Sequence, residues 1–371
     1  MGQMENPAEE RAAAQELLAE IERQSARAGR PLRFMEVCGT HTVSIFRAGL
    51  RQMLPAGVAL VSGPGCPVCV TPDDYMDKAI AYAAREDVIL ATFGDMLKVP
   101  GSASSLAEAE AEGADIRIVY SPLDALALAR ENPEKKVVFL AVGFETTAPT
   151  AAATVLAAQQ QGIENLYMLS AQKLVPPALR ALLNDPEVRV DGFILPGHVS
   201  VITGTDVFSF LTEEYHMPGV VTGFEPLQIL RSLYRLMQQV TKGEARIENE
   251  YGSVVHEGGS PAAQRAADLV YEPADAAWRG IGIIPMSGLR MRDSFAAYDI
   301  ERLLPLDVPM GKNKPGCRCG EVLRGIVTPK ECPLFGKACV PTHAVGPCMV
   351  SVEGVCAAWY KYGQGRFVYG K

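Results

Sequence analysis

Gly63-Pro64-Gly65-Cys66-Pro67-Val68-Cys69 follows an apolar run, Val58 to Val61, that reads as a buried strand. Two thiols therefore sit two residues apart on a loop at a strand's carboxyl end, stiffened by two prolines and freed by two glycines. Cys-x-x-Cys is the spacing of a redox pair or of half a soft-metal site, because its sulfurs can close a small disulfide or share one ion. A third thiol, Cys38, stands beside His41 after another strand, Leu32 to Val37. These four residues allow two readings: a thiol site for redox or soft-metal chemistry, or a structural zinc site closed by four ligands. A thiol just before a helix, here read from Thr42 to Leu50, should have its thiolate favoured by the helix dipole. The neighbouring imidazole could then take the thiol proton or share a metal with it.

Outward from this loop, short apolar runs alternate with helical ones. The runs are Val88–Thr92, Ile116–Tyr120, Val137–Val142, Leu166–Leu169, Phe193–Leu195 and Val220–Val221. Helical patterns cover residues 7–28, 72–85, 106–112, 122–130, about 148–161 and 226–240. Alternation of this kind is the signature of an α/β fold built on parallel sheets. Gly-Phe-Glu occurs at two strand-to-helix turns, 143–145 and 223–225, a weak sign of an internal repeat. In open parallel sheets ligands collect at the carboxyl ends of strands. The residues predicted there are Cys38, His41, Cys66, Cys69, Asp95, Glu145, Thr146, Gln172, Lys173, His198 and Glu225, of which Asp95 and Glu225 read best as caps or turns. Neither a Walker loop nor a Gly-x-Gly-x-x-Gly turn follows a strand, so a nucleotide site has little support.

Residues 244–255 read as a β segment, Ile281–Met286 as a strand ending in Ser287-Gly288-Leu289-Arg290, and 305–315 as a linker. Beyond it, Cys317, Cys319, Cys332, Cys339, Cys348 and Cys356 fall within forty residues. Four thiolates from such a segment suit an iron–sulfur cluster or tetrahedral zinc. The irregular gaps match neither a ferredoxin run nor a zinc ribbon and do not single out the ligands.

The 371 residues leave room for two or three domains, and 48 % hydrophobic against 21 % charged residues permits a sizeable core. The expected division, with approximate boundaries and a chain that can cross between domains, is 1–135, an α/β domain with the Cys38/Cys66/Cys69 site, 136–304, a second α/β domain, and 305–371, a Cys-rich cluster domain. A net charge of −8 without a basic block argues against nucleic acid and anionic membranes as partners. With no secretory pattern and no spanning apolar run, a cytoplasmic location is expected. Nine cysteines in a reducing compartment point to metal or redox chemistry rather than structural disulfides.

Five stretches taken together resemble the hydrogenase maturation factor HypD family. They are Cys-Gly-Thr-His at 38–41, the thiol loop at 63–69, Gly-Phe-Glu-Thr-Thr-Ala-Pro at 143–149, Pro-Gly-His-Val-Ser at 196–200 and the cysteine tail. The resemblance runs from about residue 32 to the end. It implies two Rossmann-like domains, a third domain with a [4Fe–4S] cluster, and a role in building the iron centre of nickel–iron hydrogenases, an iron with two cyanides and one carbon monoxide. The implied partners are a HypC-like chaperone and a HypE-like cyanide donor, which carries a thiocyanate made with HypF. By motif, Cys38, His41, Cys66 and Cys69 would handle the iron and the thiol redox chemistry, with Glu145, Thr146 and His198 lining the same cleft. Cys319, Cys332, Cys339 and Cys356 would hold the cluster. The chain would be a redox-active assembly scaffold rather than a free-standing turnover enzyme. The competing classes are a cluster-dependent disulfide reductase, resembling ferredoxin:thioredoxin reductase in logic, and a zinc-stapled binding protein.

Overall fold

A computed structural model describes residues 7–308 and 315–363, so most of the expected linker lies outside the described residues. The first sheet contains β1 (Leu32–Glu36), β2 (Val58–Ser62), β7 (Gly192–Pro196), β8 (Gly219–Thr222) and β9 (Ile247–Asn249), in the order β2-β1-β7-β8-β9. The second contains β3 (Val88–Thr92), β4 (Ile116–Ile118), β5 (Lys136–Gly143) and β6 (Leu166–Gln172), in the order β4-β3-β5-β6. Every pairing in both sheets is parallel. All five residues of β3 and seven of the eight in β5 are buried, as strands covered by helices on both faces must be. The α/β architecture with two Rossmann-like sheets is the one the alternation predicts.

The sheets do not divide the chain at residue 135. β3 and β4 precede that point and β5 and β6 follow it, yet all four form one sheet. The first sheet is left after β2 and re-entered at β7. Strand alternation carries no information on which neighbour each strand pairs with, so a division by sequence order put β5 and β6 with β7 and β8.

The helix Pro226–Lys242 shows how local signals set the frame. Glu225 and Gln228 form a reciprocal cap, Pro226 opens the helix, and Gly243 closes it with φ 69°. Ile229, Leu230, Leu233, Leu236 and Met237 recur at helical spacing and bury one face in a core shared with Ile21, Leu32, Ile194 and Val220. Glu225 is therefore a cap, as its position implied.

Three details differ from the sequence reading. Within 244–255 only Ile247–Asn249 is a strand, and the run from Ile116 ends at Ile118. The segment 281–286 belongs to an antiparallel hairpin of β10 (Tyr271–Trp278) and β11 (Gly282–Met291), so Ser287 to Arg290 lie inside the strand. β10 carries Pro273 and three alanines and lacks the β-branched signal of a strand; pairing with β11 makes it one. Among the described residues no helix is long and apolar enough to cross a membrane.

The C-terminal region has short helices, Cys319–Leu323, Pro347–Val350 and Val355–Tyr362, joined by turns. It docks on the first sheet beside Cys38. Trp359 packs edge-on against Phe46 at 5.2 Å, and the Arg51 guanidinium lies over both rings. Arg51 also pairs with the fully buried Glu36 at the end of β1, at 2.8 Å.

Candidate functional site

Cys38 lies two residues beyond the end of β1, in extended conformation (φ −147°, ψ 127°), and its carbonyl accepts the Thr42 amide at 3.1 Å, which starts the helix Gly39–Arg47. The helix begins three residues earlier than its apolar pattern shows, because Gly39, Thr40 and His41 form a polar first turn. The thiol loop lies directly on this junction. Gly63 N–H donates to Glu36 at 2.7 Å and Gly39 N–H to Gly65 at 2.9 Å. A Cβ on Gly65 would stand 2.3 Å from the Cys38 nitrogen and 2.5 Å from its Cα, so only glycine permits this approach. Cys66 then caps the helix Pro67–Val70, its sulfur accepting the Cys69 amide at 3.2 Å. Cys66 and Cys69 form a disulfide, with Cα atoms 5.2 Å apart.

The helix dipole does not prevail at Cys38. Burial first, and the Glu353 carboxylate second, push its thiol up to about 11, although the amides of His41 and Thr40 pull the other way. Desolvation of a thiolate with 9 % of its residue exposed outweighs the partial charges of one helix end. Metal binding here must therefore displace a proton. Glu353 reaches in from the C-terminal region and accepts the Thr40 hydroxyl at 2.7 Å. Ser351 beside it donates to Asp95 at 3.5 Å, so Asp95, expected as a cap, also tethers this region.

His41 is fully buried, and burial brings its imidazole down to about 4. Nε2 donates to the Gly223 carbonyl at 3.0 Å, which leaves the lone pair on Nδ1, buried and without a hydrogen-bond partner among the described residues. Phe224 stacks between His41 (4.7 Å) and the more exposed His198 (4.0 Å). The second Gly-Phe-Glu turn thus places a ring between the two histidines. In the first, Phe144 stacks instead on Trp278, at 6.0 Å.

Glu145 is buried, with one carboxylate oxygen accepting the Val175 amide at 2.8 Å and the other unpartnered among the described residues. Burial pushes its carboxyl up to about 7. Between pH 4.5 and 7 the folded protein then holds a proton that the unfolded chain releases, so this group's contribution to stability falls as pH rises. Glu145→Gln is expected to gain stability relative to wild type across that interval, by up to about 3 kcal/mol at about 1.4 kcal/mol per unit. Thermal midpoints of both proteins at pH 5 and pH 8 check this; a constant difference contradicts it.

Thr146 lies elsewhere. With Gln172, Phe93 and Tyr120 it lines a separate cavity of about 200 Å³ on the second sheet. Lys173 is buried, donates to the Ala277 carbonyl at 2.8 Å, and is brought down to about 8 by burial. It lines a cleft of about 310 Å³ with Asp74, Lys78 and Arg290.

All six C-terminal cysteines line one cavity, closed by Val322, Leu334, Phe335 and Met349. An apolar chamber whose strong donors are thiols has the donor chemistry of a soft-metal or iron–sulfur site, and the cysteines expected as ligands, Cys319, Cys332, Cys339 and Cys356, are among those that line it. Cys317 and Cys348 face the same space. Cys66 and Cys69 of the thiol loop belong to the same hydrophobic core as Cys319, Cys339, Cys348 and Cys356.

Sequence reasoning missed two parts of this assembly. Glu353 stands in an unremarkable Val-Glu-Gly segment, and nothing in its spacing marks it. Arg279, in the β10–β11 turn, pairs with Asp73 although both are about 3 % exposed, and its amide donates to Val70 at 2.9 Å. An arginine between Trp and Gly signals only a turn.

A family model for HypD, described as the hydrogenase formation hypA family, matches residues 12–363. The chain belongs to the HypD family. It is 47 % identical over 338 residues to the hydrogenase maturation factor HypD of Escherichia coli (strain K12), covering 91 % of each chain. The HypD proteins of Azotobacter vinelandii and Rhodobacter capsulatus are 45 % and 46 % identical, over 96 % of this chain and 95 % and 97 % of theirs. The matched span includes every HypD-like motif described above, from Cys38 to Cys356.

Proposed function

We propose that this HypD-family chain is a cytoplasmic, redox-active scaffold on which the iron moiety of a nickel–iron hydrogenase is assembled, with a HypC-like chaperone and a HypE-like cyanide donor. The observation that carries the reading is the packing of Gly65 onto Cys38, within the molecule whose Cys66–Cys69 pair shares a core with the cysteine-lined cavity. Iron destined for cyanide and carbon monoxide is soft and electron-rich and takes thiolate donors. Cys38 supplies one, with a further ligand from the chaperone. His41 offers a neutral lone pair at Nδ1, and His198 and Glu353 line the same approach.

Release of cyanide from a thiocyanate consumes two electrons. Cys66 and Cys69 as thiols supply them: the pair closes to a disulfide, the sulfur–cyanide bond breaks, the donor leaves as a thiol, and cyanide passes to iron with release of a proton. In this scheme a Cys66–Cys69 disulfide, the form the pair has in the structure, would be the oxidised end of that exchange. A [4Fe–4S] cluster on Cys319, Cys332, Cys339 and Cys356 would supply electrons that return the pair to thiols.

In a host lacking its own HypD protein, the chain is expected to restore hydrogenase activity only when the chaperone and cyanide-donor proteins are present. Restoration without them would remove the scaffold reading. Catalytic reduction of a generic protein disulfide by the purified chain alone would instead make it a cluster-dependent thiol–disulfide oxidoreductase.

A further inference from the structure

The β10–β11 turn touches both redox elements at once. On one side the Arg279 amide holds the last residue of the thiol-loop helix, Val70. On the other, Gly280, at φ +72°, lies against Gly320, the neighbour of Cys319; a Cβ on Gly280 would meet the Gly320 Cα at 2.4 Å. The Arg279 side chain points inward and is 3 % exposed. One terminal nitrogen pairs with Asp73, while Nε and the other terminal nitrogen are buried with no hydrogen-bond partner among the described residues. Through the Gly280–Gly320 contact, the turn that carries this charge lies against the backbone beside Cys319.

A buried guanidinium with donors left over is a poor stabilising device, since one ion pair does not return the desolvation of both charges. It becomes favourable if negative charge arrives beside it. Thiolates around an iron–sulfur core bring such charge, and reduction adds one more unit.

We propose that Arg279 is a positioning residue whose buried charge, opposed by Asp73, raises the reduction potential of the group held in the cysteine-lined cavity. The inference rests on the cluster reading above. It assigns the Trp278-Arg279-Gly280 turn a second task beside clamping the thiol loop to the cysteine region.

The test is an anaerobic redox titration of the purified full chain, with dithionite as one-electron donor, following the cluster by visible absorption and electron paramagnetic resonance. Arg279→Gln is expected to disfavour the reduced form about tenfold, a potential about 59 mV lower for one electron. Asp73→Asn, which leaves the guanidinium unopposed, shifts it the other way, and Arg279→Lys stays near wild type. A purely structural role gives no such opposite signs. An unchanged potential in Arg279→Gln, or shifts of the same sign in the Gln and Asn variants, overturns the proposal. If Arg279→Gln does not fold, Asp73→Asn decides: an upward shift supports it and none overturns it. A wild-type protein without cluster absorption overturns the cluster reading, and this inference with it.

Discussion

Cys38→Ala abolishes hydrogenase maturation while leaving the fold intact: this is the largest functional effect expected of any single substitution here. Cys38 is the thiol against which the glycine loop closes, and its sulfur is the soft donor at the Cys-Gly-Thr-His turn. The change removes one sulfur atom and leaves the helix's first backbone bond, from the Thr42 amide to the Cys38 carbonyl, in place. The cost in stability is about 1 kcal/mol, or about 2 °C in a chain of this size. The loss of maturation should exceed the 10–100-fold typical of removing an outer-shell partner of a metal site. Hydrogenase activity in a complemented deletion host, read beside the thermal midpoint of the purified variant, checks both halves. Normal hydrogenase activity with alanine at position 38 would show that the iron is held elsewhere.

The second large effect is on stability. If the proposed cluster is held by these cysteines, Cys339→Ser removes its brown absorption and loosens the C-terminal region. Cys319, Cys332, Cys339 and Cys356 come from four separate segments around one cavity, and little regular structure holds them otherwise. A cluster tying them together acts as a set of cross-links, each of the class worth about 2–4 kcal/mol. Losing it should expose Trp359 and Phe46, whose contact depends on that docking. Cys317→Ser and Cys348→Ser should keep the colour, because four ligands remain. Absorption spectra and tryptophan fluorescence of the three variants decide the matter. A colourless Cys348→Ser protein beside a brown Cys339→Ser one would reassign the ligands.

Much of this was legible in the sequence, and the exceptions have physical causes. Apolar runs with intervening helical patterns gave the α/β class, and Cys-x-x-Cys with its flanking prolines marked the loop that closes on Cys38. Strand pairing was not legible: β5 reads as a buried strand whichever sheet it joins, so residue 135 looked like a boundary. β10 was invisible because Pro273 and its alanines form a strand only through contact with β11. The charge state of Cys38 was read backwards, since a sequence shows the helix start but not the burial that outweighs it. Glu353 and Arg279 act across hundreds of residues of chain: Glu353 meets Thr40 through the docked C-terminal region, and Arg279 meets Asp73 and Val70 through the β10–β11 turn.

The most direct test of the account is the infrared spectrum of the chain purified without oxygen together with its HypC-like partner. Cyanide and carbonyl stretches in the complex, lost in Cys38→Ala, are the predicted result. A brown complex in which no such stretches appear, with the full set of maturation partners present during expression, would contradict the assignment of this chain as the iron-assembly scaffold.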